Sequence, residues 1–133
     1  MEVNGQCHCG QISFAAMVDP SRVSICHCSD CQALTGSPFR VTVLTARDNI
    51  RLSSAALKMY VKVGDSGGKR RQYFCPECGT PMFTSGDDET SEWGIRWGCI
   101  RQRADLKPMR QIWRRSAVSW LGEVDQLPSR ATD

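Results

Sequence analysis

Seven of the eight cysteines lie in three short clusters, and this grouping constrains the fold more than any other feature of the sequence. The clusters are "CHCG" (Cys7, Cys9), "CHCSDC" (Cys26, Cys28, Cys31) and "CPECG" (Cys75, Cys78). Thiols at such short spacing rarely form unstrained disulfides with each other, whereas a C-x-x-C turn directs two sulfurs at one metal ion. The clusters therefore favour metal binding over a disulfide framework.

Neither a signal peptide nor a membrane span can be read from the sequence. The first ten residues contain no basic region and no apolar segment. No apolar run approaches the roughly 18 residues of a membrane helix. We therefore expect an intracellular, cytoplasmic protein, in which thiols stay reduced and cysteine clusters serve metal binding or catalysis.

The spacing of the thiols favours a group of four and a group of three. A C-x-x-C turn followed by Gly supplies half of a closed tetrahedral site, which is the structural kind. The other half must come from the C-x-C pair or from the central cluster. We favour the C-x-C pair, which predicts a structural zinc site formed by Cys7, Cys9, Cys75 and Cys78.

The central cluster then remains as three thiols, Cys26, Cys28 and Cys31. Three protein ligands and an open fourth position are what a catalytic zinc needs. The alternatives are a site closed by His27, His8 or Cys99, or no metal at all. Cys99 lies in an apolar run, where a buried free cysteine is typical.

The formal net charge of +3 does not by itself indicate a nucleic-acid partner. That count treats every cysteine as neutral. A zinc ion with four thiolates has a net charge of −2, and one with three thiolates has −1, so two such sites would offset the +3. We therefore regard a nucleic-acid partner as disfavoured.

Short β-type runs between turn residues indicate a mainly β domain. The predicted strands cover residues 11–14, 23–26, 40–45, 57–63, 71–74, 81–85 and 93–100. In the run 57–63, apolar residues alternate with polar ones and predict a strand with Leu57, Met59, Val61 and Val63 on one face. We expect a single domain over residues 1–128 and a loose tail over 129–133.

The segment 109–121 has a different pattern. Its apolar residues recur at helical spacing and by periodicity alone predict an α-helix. The members of this stripe are Met109, Ile112, Trp113, Ala117, Trp120 and Leu121.

Three blocks of the sequence resemble, in the same order, the glutathione-dependent formaldehyde-activating enzyme family, which also includes a centromere-associated branch. The blocks are "GQCHCGQISF", "CHCSDCQALTGSPF" and "YFCPECGTPMF". The resemblance covers about residues 3–128 and implies a mainly β fold with two small sheets around two zinc ions. It implies structural zinc on the group of four cysteines and catalytic zinc on the group of three.

The resemblance weakens toward the C-terminus. Gln111 stands where members of this family commonly have His. The resemblance nonetheless implies an extended segment over 110–114, and we adopt this expectation in place of the helix.

The resemblance implies a carbon–sulfur lyase-type reaction that joins glutathione and formaldehyde as S-hydroxymethylglutathione. The sequence offers no convincing general acid. His27 is nearest to the catalytic group but is expected to face solvent. Four basic residues could pair with the carboxylates of glutathione, but as isolated charges we expect them on a solvated face: Arg40, Lys69, Arg70 and Arg71.

Two other functions remain open. The same zinc scaffold can act on or bind another small thiol or electrophile, because shared ligands do not fix a substrate. Alternatively, the chain is a non-catalytic zinc scaffold that binds protein or nucleic acid. Its four tryptophans, with Arg101, Arg103, Arg110, Arg114 and Arg115 nearby, favour this last possibility.

Overall fold

Ten strands and one short α-helix make up the regular structure of the computed structural model, which describes residues 1–88 and 92–133. The helix is α1 (Ser29–Thr35). The strands are β1 (Glu2–Gln6), β2 (Ser13–Met17), β3 (Val23–Cys26), β4 (Arg40–Thr45), β5 (Ile50–Leu52), β6 (Lys58–Val63), β7 (Lys69–Phe74), β8 (Pro81–Gly86), β9 (Trp93–Arg96) and β10 (Arg110–Ile112).

The strands form two sheets, which confirms the predicted mainly β, two-sheet fold. The small sheet has the order β1-β2-β5, and the large sheet has the order β10-β3-β4-β9-β8-β7-β6. All pairings are antiparallel except β10 with β3. Most connections are hairpin-like, so chain neighbours usually pair with each other.

The core lies between the two sheets. Phe14 on the small sheet meets Phe83 on the large sheet edge to face, with ring centroids 5.2 Å apart. Val43 and Ile95, which are cross-strand partners on β4 and β9, are fully buried on the same side. Apolar residues at every second position therefore give the large sheet one face that packs on the small sheet.

Most of the strand predictions are confirmed, and two have the predicted limits. Residues 23–26 and 40–45 form β3 and β4, while the other predicted runs overlap β2, β6, β7, β8 and β9 with different ends. The overlap is smallest for 11–14, which shares only two residues with β2. Sequence reasoning missed β1, β5 and α1. The run 93–100 is a strand only as far as Arg96 and continues as a 3₁₀ turn, Trp97–Cys99.

The strand predicted over 57–63 is present as β6, but its apolar face is not covered. Met59 is 47% exposed, Val61 38% and Val63 62%. β6 is the last strand of the large sheet, beyond β7, and the buried core contains none of its described residues. Alternation alone therefore does not show that the apolar face of a strand is covered.

The prediction of an α-helix over 109–121, which rested on periodicity, is wrong. β10 pairs in parallel with β3, and the Ile112 carbonyl accepts a hydrogen bond from the His27 amide at 3.1 Å. Trp113 then adopts a left-handed conformation with φ 55°, and a 3₁₀ turn follows at Arg114–Ser116. The extended segment implied by the family resemblance is thus present over Arg110–Ile112, because the edge of β3 supplies its hydrogen bonds.

The division into a domain over 1–128 and a tail over 129–133 stays a prediction. Residues 129–133 are exposed and lie outside the helices and strands.

Candidate metal centres and a cationic cavity

Two hairpin turns bring the predicted group of four cysteines together. Cys7 and Cys9 lie between β1 and β2, and Cys75 and Cys78 lie between β7 and β8. The His8 amide donates a hydrogen bond to the Thr80 hydroxyl at 2.9 Å, which ties one turn to the other.

The second turn depends on the glycine that follows its last cysteine. Gly79 has φ +77°, a conformation that favours glycine, and its amide donates to the Cys75 carbonyl at 2.9 Å. This bond closes the turn, so that Cys75 and Cys78 present their sulfurs on the same side.

The four sulfurs fit a tetrahedral metal site. The Sγ atoms of Cys7, Cys9, Cys75 and Cys78 all lie within 4.8 Å of one another. The Cys7–Cys9 sulfur separation is 3.6 Å, and the Cys9–Cys75 separation is 3.8 Å. Four sulfurs at about 2.3 Å from a zinc ion would be roughly 3.8 Å apart. The donor set and the spacing therefore suit a closed zinc site.

The second group of cysteines is built by the junction between β3 and α1. Cys26 ends β3, Cys28 is the N-cap of α1, and Cys31 lies in its first turn. The Cys28 sulfur accepts a hydrogen bond from the Cys31 amide at 3.3 Å. All three side chains are partly buried, and their sulfurs lie within 4.8 Å of one another, so they could hold a metal ion through three thiolates.

Electrostatics favour ionisation within this group even before a metal binds. The Cys31 thiol donates a hydrogen bond to the Cys26 sulfur and lowers the pKa of Cys26 to about 5. The same bond raises the pKa of Cys31. Lys62, which forms an ion pair with Asp30 at 3.0 Å, adds a smaller favourable contribution to the Cys26 thiolate. The group is therefore preset to present a thiolate ligand.

His27 does not face solvent as predicted. Its side chain is fully buried, and its Nε2 atom lies 2.7 Å from the side-chain oxygen of Gln111. The imidazole packs edge to face on Phe39, and its Nδ1 atom has no hydrogen-bond partner among the described residues. The neighbouring cysteines point toward their shared cluster, so His27 points away from it into the junction between β3 and β10.

Cys99 stays outside both groups. Its side chain is buried, and burial raises the pKa of its thiol to about 12. Its sulfur lies 3.0 Å from the Arg96 carbonyl. The prediction of a buried free cysteine is confirmed, and closure of the three-sulfur group by Cys99 is not what the structure shows.

A polar face of the large sheet begins next to the three-sulfur group. Cys26 is the cross-strand partner of Arg40, and Thr42 is that of Arg96. Cross-strand partners share a face of a sheet, so these four side chains lie on the side opposite the apolar core. The expectation that Arg40 is solvated is wrong, since Arg40 is only 5% exposed and Arg96 only 9%.

Burial lowers the pKa of both arginines. The pKa of Arg96 falls to about 9, through burial first and then through the nearby charge of Arg40. Burial also lowers the pKa of Arg40, against the opposing effect of Cys31, Cys28 and Cys26. Both guanidinium groups therefore remain charged at neutral pH in surroundings that penalise the charge.

Two adjoining cavities open onto this polar face. The larger has a volume of about 880 Å³ and the smaller about 380 Å³. Both are lined by Arg40 and Arg96, and also by Leu34, which lies one turn after Cys31 on α1. Arg101 and Arg103 line the larger cavity as well. The larger cavity thus has four arginines in its wall. It is connected to the three-sulfur group through Leu34 and Arg40, although Cys26, Cys28 and Cys31 do not line it, and it also contacts Cys7 of the four-sulfur group.

The other predicted basic residues are not brought into this cavity. Lys69 is exposed, and Arg71 forms an ion pair with Asp87 at 3.4 Å on the opposite face of β7. Sequence reasoning missed Arg96 and Gln72, which meet Arg40 only through the register of β4, β9, β8 and β7. The alternation of polar and apolar residues in "RVTVLT" was the available signal that Arg40 and Thr42 share a face.

The described residues include no helix that is both long enough and apolar enough to cross a membrane.

Comparison with known proteins places these observations in a family. The fold is similar to the crystal structure of a Rhodobacter sphaeroides protein determined as a structural genomics target. The TM-score is 0.62 at 18% identity, over 81% of this chain and 98% of that one. This likeness concerns the fold alone.

A curated relative is an "uncharacterized lyase" of Schizosaccharomyces pombe, which is 27% identical over 82 residues. The match covers 62% of this chain and 56% of that protein, so the chain spans little more than half the length of this relative. The family model described as "Glutathione-dependent formaldehyde-activating enzyme" matches residues 2–116. Because this match covers most of the 133 residues, the chain belongs to the glutathione-dependent formaldehyde-activating enzyme family.

Proposed function

We propose that the chain is a zinc-dependent carbon–sulfur lyase-type enzyme that joins glutathione, or a related thiol, and formaldehyde as S-hydroxymethylglutathione. The main support is the three-sulfur group of Cys26, Cys28 and Cys31, which is separate from the complete four-sulfur group. Its neighbours Leu34 on α1 and Arg40 on β4 line a cavity that also contains Arg96, Arg101 and Arg103. The family implies both substrates. The reducing cytoplasm, where glutathione stays a thiol, suits such an enzyme.

The two cysteine groups have different roles in this proposal. Cys7, Cys9, Cys75 and Cys78 would hold a structural zinc, because four sulfurs complete a tetrahedron. Cys26, Cys28 and Cys31 would hold the catalytic zinc and leave a fourth position open. A zinc ion there would supply the positive charge that keeps a bound thiol deprotonated at neutral pH.

The protein side chains have to position the thiol and the aldehyde. The reaction forms one carbon–sulfur bond as the carbon–oxygen double bond of formaldehyde becomes a single bond, and overall the thiol proton moves to the new hydroxyl oxygen. The junction between β3 and α1 fixes the three sulfurs, and Leu34 and Arg40 shape the adjoining cavity wall. His27 is not proposed as the general acid, since it is fully buried and its Nε2 atom is paired with Gln111.

The scaffold alternative has less support. Trp93 and Trp97 pack against the core, so only Trp113 and Trp120 of the four tryptophans are largely exposed. Arg103 lies over the Trp97 ring, and Arg115 lies over the Trp113 ring, at 5.9 and 5.0 Å from the centroids. These contacts account for two of the arginines that favoured a binding surface.

The test is whether the chain catalyses formation of S-hydroxymethylglutathione. Exchange NMR on glutathione and formaldehyde at equilibrium measures the rate at which they interconvert with the adduct. The wild-type chain should accelerate the exchange, Cys28→Ser should lose most of the acceleration, and Cys99→Ala should keep it. Cys99→Ala is the matched control because it removes a cysteine outside both groups. Exchange at the uncatalysed rate with fully zinc-loaded wild type would refute the proposal. Acceleration with another thiol instead would shift the substrate and keep the reaction class.

A further inference from the structure

Two buried arginines converge on one uncharged oxygen. An Nη1–H of Arg40 donates to the side-chain oxygen of Gln72 at 3.1 Å, and an Nη2–H of Arg96 donates to the same oxygen at 2.5 Å. Arg96 also donates to the Thr42 hydroxyl at 2.7 Å. The guanidinium groups are therefore close neighbours within a largely buried polar layer.

Neither arginine takes part in an ion pair within residues 1–88 and 92–133. The three ion pairs of the described residues lie elsewhere, at Arg22–Glu92, Lys62–Asp30 and Arg71–Asp87. The Nε atom of Arg96 is buried and has no hydrogen-bond partner among the described residues. Buried charges in proteins are normally paired and hydrogen-bonded, so this pair lacks a negative partner.

The nearby thiolates do not provide enough negative charge. A zinc ion held by three thiolates has a net charge of −1, whereas the two arginines contribute +2. Until a substrate thiolate adds its own negative charge, one positive charge is left over on the cavity wall. Both arginines line the two cavities, so a ligand in that space can reach them.

We infer that Arg40 and Arg96 bind a carboxylate of the substrate in this cavity and thereby select an acidic thiol over a neutral one. Guanidinium N–H groups bind carboxylates through charge-assisted hydrogen bonds, often two in parallel. The Nε–H of Arg96 is itself buried, so a carboxylate in the cavity would be bound through the Nη–H groups of the two arginines. The identity of the ligand in this inference rests on the proposed function. The need for an anion next to the two arginines does not.

The first test supplies the missing anion from the protein itself. Gln72→Glu places a carboxylate at the point where both arginines already donate. The variant should melt at a higher temperature than wild type, and its own carboxylate should compete with that of the ligand. The matched control is Arg71→Glu, on the neighbouring residue of β7 and on the opposite face, where Asp87 is already present. It should not raise the melting temperature.

The second test compares glutathione with its diethyl ester, which keeps the thiol and loses the carboxylate charges. Calorimetry on zinc-loaded protein should show at least about tenfold weaker glutathione binding by Arg96→Gln than by wild type. The Kd of the ester should be unchanged by this substitution. Arg71→Gln, which removes the same charge outside the cavity, should bind both ligands as wild type does.

The outcomes separate this inference from the lyase proposal. Equal weakening of glutathione and its ester in Arg96→Gln would mean that the arginine acts on the sulfur charge, which overturns the carboxylate assignment. An unchanged Kd for glutathione would also overturn it, and the lyase proposal would stand. If wild type binds neither ligand, the lyase proposal fails, and the melting temperature of Gln72→Glu decides the need for an anion. If Arg96→Gln does not fold, Gln72→Glu is again the deciding variant. A melting temperature of Gln72→Glu at or below that of wild type would overturn the inference.

Discussion

Replacing one cysteine from each group should separate a structural metal from a catalytic one. Cys75 is fully buried, and its sulfur lies 3.8 Å from that of Cys9 in the turn that faces it. Cys75→Ser removes one ligand of the proposed structural zinc, which would join the β1–β2 hairpin to the β7–β8 hairpin. The variant should therefore lose this zinc and, with it, one of the links between the two sheets.

The expected loss of stability is large on the scale of a domain. A structural zinc contributes roughly 10–16 kcal/mol of apparent binding free energy, and a whole domain is stable by only about 5–15 kcal/mol. Losing even a third of this contribution, about 4 kcal/mol, would lower the melting temperature of a chain this size by more than about 10 °C, and loss of the whole metal would cost more. We expect Cys75→Ser to be at best marginally folded.

Cys28→Ser should behave differently, for a reason specific to its position. Cys28 is the N-cap of α1 and accepts a hydrogen bond from the Cys31 amide. Serine is among the best N-cap residues, so its hydroxyl can replace the sulfur in this bond. The cost to the fold should be about 1 kcal/mol or less, and the loss should be confined to metal at the three-sulfur group.

Differential scanning calorimetry and metal analysis of the same samples check this prediction. Wild type should contain two zinc ions per chain, and Cys28→Ser should contain one at a nearly unchanged melting temperature. Cys99→Ala is the control for removal of a thiol outside both groups. Equal losses of melting temperature in Cys75→Ser and Cys28→Ser would contradict the division of roles and would indicate one structural unit.

Two further predictions follow from the same geometry. Gln111→Leu should destabilise the fold by about 1–3 kcal/mol in urea unfolding, because the buried imidazole of His27 would lose its partner. Gln111→Glu keeps an acceptor and should cost less, and equal costs would contradict this explanation. Acidification should release zinc from the three-sulfur group, since protons compete with the metal for the thiolates. A chromogenic chelator should detect about one zinc ion per chain more from wild type than from Cys28→Ser, which keeps only the zinc of the four-sulfur group. A signal of equal size in both would contradict the assignment.

The pairing of cysteines within each turn could be predicted from the sequence because it depends on local geometry, whereas the meeting of the two turns is a long-range contact between Cys9 and Cys75. A C-x-C and a C-x-x-C pair, each followed by Gly, set the direction of their own sulfurs whatever the rest of the chain does. The two sheets could be expected from short β-branched runs, and β3 and β4 have the predicted limits. α1 was missed, although Ser29 and Asp30 at its start and Gly36 after its end are ordinary helix signals.

The rest depends on contacts between distant segments. His27 and Gln111 are 84 residues apart, and Arg96 and Thr42 are 54 apart, so only the strand order brings them together. The apolar residues at helical spacing after Met109 predicted a helix that does not form, because pairing with the free edge of β3 determines the conformation there. Tertiary pairing outweighs periodicity in such a short segment.

Cobalt substitution at the three-sulfur group tests the central claim most directly, because absorption bands of cobalt distinguish three sulfur ligands from four. Glutathione added to the cobalt-loaded chain should shift the bands toward the four-sulfur pattern and release a proton, since the thiol binds as thiolate. S-methylglutathione should not produce this shift, because a thioether cannot supply a thiolate. A cobalt spectrum that responds equally to both compounds, or to neither, would mean that the substrate sulfur does not reach the site formed by Cys26, Cys28 and Cys31.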